Sequence, residues 1–141
     1  SAILAMAAKK QYPSLHVVAA DSDRLSVQAS QQNARLNHIA PAGFQVVQSL
    51  GFSHPLTRRS APYDVICANI LAAPLRKLAP NLCRSLASDG RLILSGLLIS
   101  QAHEILTRYH AFGMVLEEQV MIEDWIALSL TKRRQKGRKL S

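Results

Sequence analysis

Acidic residues are scarce in this chain, nine against seventeen lysines and arginines, and aromatic residues make up only 5%. Six of the basic residues crowd into positions 132–141, where no acid offsets them. The other 131 residues hold eleven basic and nine acidic side chains, so a net charge of +8 resolves into a body near +2 and a basic tail. Such a run attracts RNA loosely. It contains no aromatic residue on which a base could stack, which sets it apart from single-strand binders. A solvated extension that aids solubility is the preferred account of it. Long apolar runs are also missing. No uncharged stretch reaches the roughly 18 residues a bilayer span requires, and no secretory signal pattern opens the chain. Cysteine is nearly absent. Cys67 and Cys83 lack metal-ligand spacing and are expected to be small buried residues in a reducing compartment, so a cytoplasmic location is expected. The five histidines show no ligand spacing, and His103-Glu104 lacks the pattern of a zinc-protease helix, so no metal site is expected. What remains is a chain of 141 residues, 48% hydrophobic and 18% charged, a composition that fits one globular domain and does not fit disorder.

Two strand ends carry the chemistry. Val65, Ile66, Cys67 and Ala68 form an uncharged run of the kind found in a parallel strand covered on both faces, and the run stops at Asn69. Pro74 marks the first turn of the helix that follows. Ligands of open α/β sheets bind at the carboxyl ends of strands, so Asn69 is either a ligand group or a turn residue capping that helix. A second strand, residues 15–20, ends at Asp21-Ser22-Asp23. A carboxylate in that place is suited to ribose hydroxyls. Asp23 is the better cap for a helix from Arg24 to about Leu36, which leaves Asp21 as the ribose candidate.

The elements between these strands alternate regularly. A first helix spans about residues 2–10. Leu25, Ala29 and Leu36 share a face of the second helix at spacings of four and seven. A short strand is expected at Phe44–Gln48 and a loop at residues 49–62. Leu75, Leu78, Leu82 and Leu86 make the stripe of a later helix, with Pro80 expected to kink or break it near Ala79. A turn at Ser88-Asp89-Gly90 leads into a strand at residues 91–95. Ser100 is placed to cap a helix with Ala102, Ile105, Leu106 and Tyr109 on one side, and Gly113 suits the left-handed position after it. Residues 114–121 and 125–130 then form two strands around Glu123-Asp124, antiparallel if adjacent.

Five segments stand here in one order: Ser1-Ala2-Ile3-Leu4-Ala5-Met6-Ala7-Ala8, Asp21-Ser22-Asp23, Gln32-Asn33-Ala34-Arg35-Leu36-Asn37, Asn69-Ile70-Leu71-Ala72 and Leu94-Ser95-Gly96-Leu97-Leu98. In that order they resemble the catalytic domain of the PrmA family, bacterial methyltransferases of a large-subunit ribosomal protein. The resemblance runs from residue 1 to about residue 130. The Asn69 segment, with Pro74 and Leu75 close behind, is its most discriminating part. The resemblance implies an α/β fold, the Rossmann-like class I methyltransferase sheet with a C-terminal antiparallel hairpin. It implies S-adenosylmethionine (S-adenosyl-L-methionine) as cofactor, bound by Asp21 and Asn69. The implied reaction methylates amino groups of a ribosomal protein partner, on lysine side chains and at the N-terminus. Residues just after the strand Phe44–Gln48, from Gln48 to Leu50, would lie near the adenine. Methyl displacement from a sulfonium needs alignment and exclusion of water, with no metal and no covalent enzyme intermediate. Asn69 is no general base, because an amide does not titrate usefully, and no catalytic acid or base is assigned.

The first motif of that family carries a strand and a glycine turn upstream of the segment that Ser1 opens, and Ala2 stands where many relatives have glycine. We therefore expect a piece of a longer protein: a partial catalytic domain at residues 1–131, inactive by itself, and a disordered basic tail at 132–141. The first strand, missing from this chain, would sit in the middle of the sheet. Without it the strands at 15–20 and 63–68 each keep an open edge. Three other readings stay open. A nicotinamide-dependent dehydrogenase shares the strand, turn and acid. A related methyltransferase acting on another protein or on RNA shares every motif but not the partner. A noncatalytic RNA-binding module would rest on the tail alone.

Overall fold

Asp23 starts a helix as its position predicts, and much of the first unit is set by such local signals. A computed structural model describes residues 2–133, which divide into two compact units meeting in sequence at Ser60 and Ala61. The first contains α1 (Ile3–Gln11), β1 (Val17–Asp21), α2 (Arg24–Leu36), β2 (Phe44–Gln48) and α3 (Pro55–Arg59). β1 and β2 pair in parallel, from Val17 opposite Phe44 to Asp21 opposite Gln48. Met6, Ala34 and Phe44 form the buried centre, with Val17, Ile39 and Val46 packed against it. Lys9, itself buried, donates from Nζ to the carbonyls of Pro13 at 2.6 Å and Leu15 at 2.5 Å, tying the end of α1 to the turn before β1.

Two expectations for this unit are corrected. α2 has the expected bounds but buries Val27, Ser30 and Ala34, while Leu25 is 71% and Leu36 68% exposed. Both residue sets satisfy helical spacing on opposite sides, and the small side chains of the buried set let the helix approach the strands closely. The expected loop after β2 contains α3. His54 Nδ1 accepts from the backbone N–H of Leu56 at 3.1 Å, and Pro55 occupies the first turn, where its missing donor is harmless.

The second unit contains β3 (Tyr63–Asn69), α4 (Ala72–Ser85), β4 (Leu86–Leu98), a 3-10 turn at Ile99–Gln101, α5 (Ala102–His110), β5 (Met114–Ile122) and β6 (Trp125–Lys132). Its sheet runs in the order β3-β4-β6-β5, with β3 and β4 parallel and the other two pairings antiparallel. This α/β arrangement with its terminal antiparallel pair is the class I methyltransferase fold. Leu75, Leu92, Leu94, Leu97, Ile105, Tyr109 and Leu128 are fully buried at its centre. Among the described residues β1 has only β2 beside it and β3 only β4, so the two open edges are those anticipated.

Pro80 does not break α4, which is helical from Ala72 to Ser85. The carbonyl that Pro80 leaves without its helical donor belongs to Arg76, four residues earlier. It accepts instead from Arg108 Nε of α5 at 3.3 Å. The same helix pair is joined by Tyr109 Oη donating to the Leu75 carbonyl at 2.8 Å and by an Arg76–Glu104 ion pair. β4 begins earlier than expected, because Leu86 already pairs with Tyr63. The turn at Ser88-Asp89-Gly90 is an irregularity inside the strand, with Asp89 at φ 62°. Ser100 does not cap α5. It lies within the 3-10 turn, where Gln101 Oε1 takes the N–H of Leu98 at 2.9 Å. Gly113 adopts the expected left-handed conformation at φ 83°.

β3 was expected to be covered on both faces, and Cys67 to be buried. Instead Val65 and Cys67 are exposed while Ile66 and Ala68 are half-buried. In β3 α4 lies against one face, and the alternation turns Val65 and Cys67 to the other. Cys83 is buried as expected. Lys132, the first residue of the basic tail, closes β6 opposite Met114 and donates to the carbonyls of Cys83 at 3.0 Å and Leu86 at 3.1 Å. The rest of the tail beyond Arg133, with the expected disorder, lies outside the described residues. Among the described residues no helix is long and apolar enough to cross a membrane.

Candidate functional site

Each unit presents the carboxyl end of one parallel strand pair, the place where open α/β sheets hold ligands. Asp21 is the last residue of β1, half-buried, and belongs to the first unit. Its Oδ1 accepts from the backbone N–H of Asp23 at 2.9 Å, a turn that swings the chain into α2. Asp23 is the cap. Its Oδ2 takes both the N–H and the hydroxyl of Ser26 at 2.8 Å, and these bonds hold its carboxyl below the ordinary carboxylate range. The two aspartates are thus inequivalent, Asp23 being the cap as expected. Among the described residues Oδ2 of Asp21 has no partner, so one oxygen builds the turn and the other stays available to a ligand. Beside it Gln48 Nε2 donates to the carbonyl of Ser22 at 3.1 Å, and Ser49 N donates to the carbonyl of Asp21 at 2.9 Å. The Ser49 hydroxyl is consumed in its own loop, bonding Gly51 O and His54 N.

Asn69 is the last residue of β3 in the second unit, exposed, and opposite Ser95 of β4. It does not cap α4. Leu71 holds that position without any side-chain bond, and among the described residues the Asn69 amide has no hydrogen-bond partner. An unpartnered amide at a strand end is free to serve a ligand. Gly96, one residue past Ser95, has φ 78°, and a Cβ built on it would stand 2.8 Å from Asn69 Oδ1 and 3.1 Å from the Ile70 carbonyl. The absence of a side chain at Gly96 is therefore what leaves Asn69 its place. Spacing along the chain does not reveal this constraint. Its available signal was a glycine immediately after an apolar strand, the usual mark of a close backbone approach.

α1 opens with no side-chain cap, and Ala2 before it lies in the left-handed region at φ 54°. That conformation is natural to glycine and strained for alanine, which gives a physical reason for glycine at this position and a cost to the departure.

Comparison with known proteins fits this geometry. A model of the family "Ribosomal protein L11 methyltransferase (PrmA)" matches residues 1–133. The "Ribosomal protein L11 methyltransferase" of Rhodopseudomonas palustris (strain BisB5) is 42% identical over 130 residues, covering 92% of this chain and 43% of that protein. The chain thus spans less than half the length of the curated relatives it matches. The crystal structure of a ribosomal protein L11 methylase from Lactobacillus delbrueckii subsp. bulgaricus superposes with a TM-score of 0.83 at 29% identity, over 94% of this chain and 65% of that one. An RNA methyltransferase from Salinibacter ruber, solved in complex with S-adenosyl-L-homocysteine, shares the fold at a TM-score of 0.67 and 15% identity, over 96% of this chain and 77% of that one. With the family model matched over residues 1–133 of the chain, the strand ends in place and the sheet order observed, the chain belongs to the ribosomal protein L11 methyltransferase (PrmA) family.

Proposed function

We propose that this chain supplies catalytic-domain elements of a cytoplasmic, S-adenosylmethionine-dependent protein N-methyltransferase. Its substrate would be the amino groups of ribosomal protein L11, on lysine side chains and at the N-terminus. The observation that carries this reading is the match of the family model over residues 1–133, supported by the unpartnered Asn69 amide beside Gly96. The polar groups fit the cofactor's chemistry. Oδ2 of Asp21 is an acceptor suited to ribose hydroxyls, and the uncapped start of α1 directs backbone N–H groups at an anionic group such as a carboxylate. When bound, S-adenosylmethionine supplies a methyl group on a sulfonium. Asn69 offers both a donor and an acceptor, enough to orient an amine lone pair or to hold the methionine part. It moves no proton. The target lysine must lose its own, which burial beside a positive charge favours. The chain's contribution to rate is positioning.

The test uses the full-length protein with ribosomal protein L11 and cofactor carrying a labelled methyl group. Label should appear on lysine and N-terminal amines, read by mass spectrometry, and fall sharply with Asn69→Ala. No label on the ribosomal protein, with label on RNA or another protein, would overturn the substrate assignment.

A further inference from the structure

Backbone alone holds Asn69 in place, because among the described residues its amide has no hydrogen-bond partner. Its aim is therefore only as exact as the position of the chain on either side. Before it lies β3, fixed against β4. After it come Ile70 and Leu71 and then the first turn of α4, closed by Leu75 N donating to the Leu71 carbonyl at 3.1 Å. Gly96 bounds the same stretch from β4, since a Cβ built there would stand 3.1 Å from the Ile70 carbonyl oxygen and 3.4 Å from the Ile70 nitrogen. A tilt of the first turn of α4 would pass directly to the amide.

The helix has a reason to tilt. Pro80 takes away the donor due to the Arg76 carbonyl and crowds that oxygen with its ring, so the turns ahead of it are loosely coupled to the turns behind. α5 holds the loosened part. Its consecutive residues Arg108 and Tyr109 reach consecutive carbonyls of α4, Arg76 at 3.3 Å and Leu75 at 2.8 Å, and Glu104 pairs with the Arg76 side chain. Tyr109 is fully buried, so its hydroxyl bond is sheltered from competing water. These contacts fall on residues 75 and 76, ahead of the proline and beside the turn that Leu71 starts. The far end of the helix is held separately, by Lys132 Nζ on the carbonyls of Cys83 and Leu86. α4 is thus tied at both ends, and only its start adjoins Asn69.

We infer that Tyr109 and Arg108 are positioning residues for methyl transfer: they fix the start of α4 against α5 and so aim the Asn69 amide, without touching cofactor or substrate. The inference rests on the proposed role of Asn69 and adds the side chains that aim it. A misplacement of about 1 Å at a positioned group can cost on the order of a hundredfold in rate, so a partial loosening of this turn should cost about tenfold.

The experiment uses the full-length protein with Tyr109→Phe, Arg108→Met, Lys132→Met, and Arg108→Met combined with Pro80→Ala. Tyr109→Phe and Arg108→Met each remove a bond at the start of α4, and Lys132→Met removes the bonds at its end. All are compared well below their unfolding temperatures. Hydrogen exchange of the backbone amides of residues 70–76 should quicken about tenfold in Tyr109→Phe and Arg108→Met and keep its wild-type rate in Lys132→Met. With ribosomal protein L11 as substrate, kcat should fall about tenfold in the same two variants, with KM for S-adenosylmethionine little changed. Lys132→Met should keep the wild-type kcat. Pro80→Ala returns the helical donor to the Arg76 carbonyl, so the double variant should recover most of the exchange protection and kcat lost in Arg108→Met. Equal effects of Tyr109→Phe and Lys132→Met would reduce these contacts to general stability and overturn the inference. So would a loss in Arg108→Met that Pro80→Ala does not relieve. Exchange is read without turnover, which keeps the two readings apart. A wild-type protein that leaves the ribosomal protein unmethylated refutes the activity, whereas wild-type exchange at residues 70–76 in Tyr109→Phe refutes the positioning.

Discussion

Asn69 and Gly96 are locked together across the β3–β4 pair, since a single added carbon at Gly96 would come within 2.8 Å of Asn69 Oδ1. Gly113 has nearly the same backbone angle, φ 83° against 78°, but nothing within 4 Å of the equivalent point. The two glycines therefore separate backbone strain from displacement of the amide. Gly113→Ala should cost about 1–2 kcal/mol of stability through its left-handed conformation alone. Gly96→Ala should cost at least that and also depress methyl transfer. Thermal unfolding and a methylation assay on both variants check it, and equal activities would show that Gly96 has no bearing on the site.

Asp21 builds the turn into α2 with one carboxylate oxygen, and its proposed ribose contact would use the other, so substitution can divide the two. Asp21→Asn keeps an acceptor for the Asp23 N–H and removes the charge, so the turn into α2 should survive. Affinity for S-adenosylmethionine should fall about tenfold to a hundredfold, the loss of a charge-assisted hydrogen bond of about 1.5–3 kcal/mol. Asp23→Ala should lower the stability of α2 and leave cofactor affinity largely intact. Calorimetric titration of the full-length variants decides between them, and equal losses of affinity would contradict the assignment.

Among the described residues Asn69 has no internal partner to lose. Asn69→Ala should change stability by less than about 0.5 kcal/mol, with activity strongly reduced. Denaturant midpoints alongside initial rates provide the comparison.

Tyr109 and Leu75 join α5 to α4 through a buried bond of 2.8 Å. Tyr109→Phe keeps the ring and deletes the donor, for an expected loss of about 1 kcal/mol. The measurement is a shift in denaturant midpoint at constant slope.

Alkali should weaken the second unit before it weakens most surface groups. Burial pushes the Cys83 thiol from its ordinary 9.0 up to about 11, opposed by nearby Lys132. Burial also raises the Tyr109 hydroxyl above its ordinary 10.0. Unfolded chains release these protons first, so stability is intact below pH 9 and declines as pH rises from 9 toward 11. Cys83→Ala should move the onset of the decline upward, read from unfolding midpoints across that range.

Signals confined to a few neighbouring residues were legible in the sequence. The Asp23 cap, the bounds of α2, the strand Phe44–Gln48, the Gly113 stop and the Glu123-Asp124 turn all depend on chemistry within one turn of the chain. What escaped depends on neighbours far away in sequence. Whether Leu25 or Val27 faces inward is decided by which side of α2 meets the strands, and both sides carry apolar groups at helical spacing. Pro80 looked disruptive because Arg108, twenty-eight residues later, was not visible as a substitute donor to Arg76. Cys67 reads as a core residue until it is known to lie on the face of β3 turned away from α4. α3 is too short for periodicity, although His54-Pro55 carried its start signal. Asn69 was legible as the end of a strand, whereas its dependence on Gly96 required the pairing register.

β6 is made after β4 and β5 but lies between them. During synthesis neither flanking strand can find its final hydrogen-bond partner on that side until Trp125–Lys132 has left the ribosome. The second unit must therefore close from its last strand, as a wedge driven between two strands already waiting. That order delays commitment of its core and leaves the nascent chain dependent on whatever shields two bare strand edges in the interval.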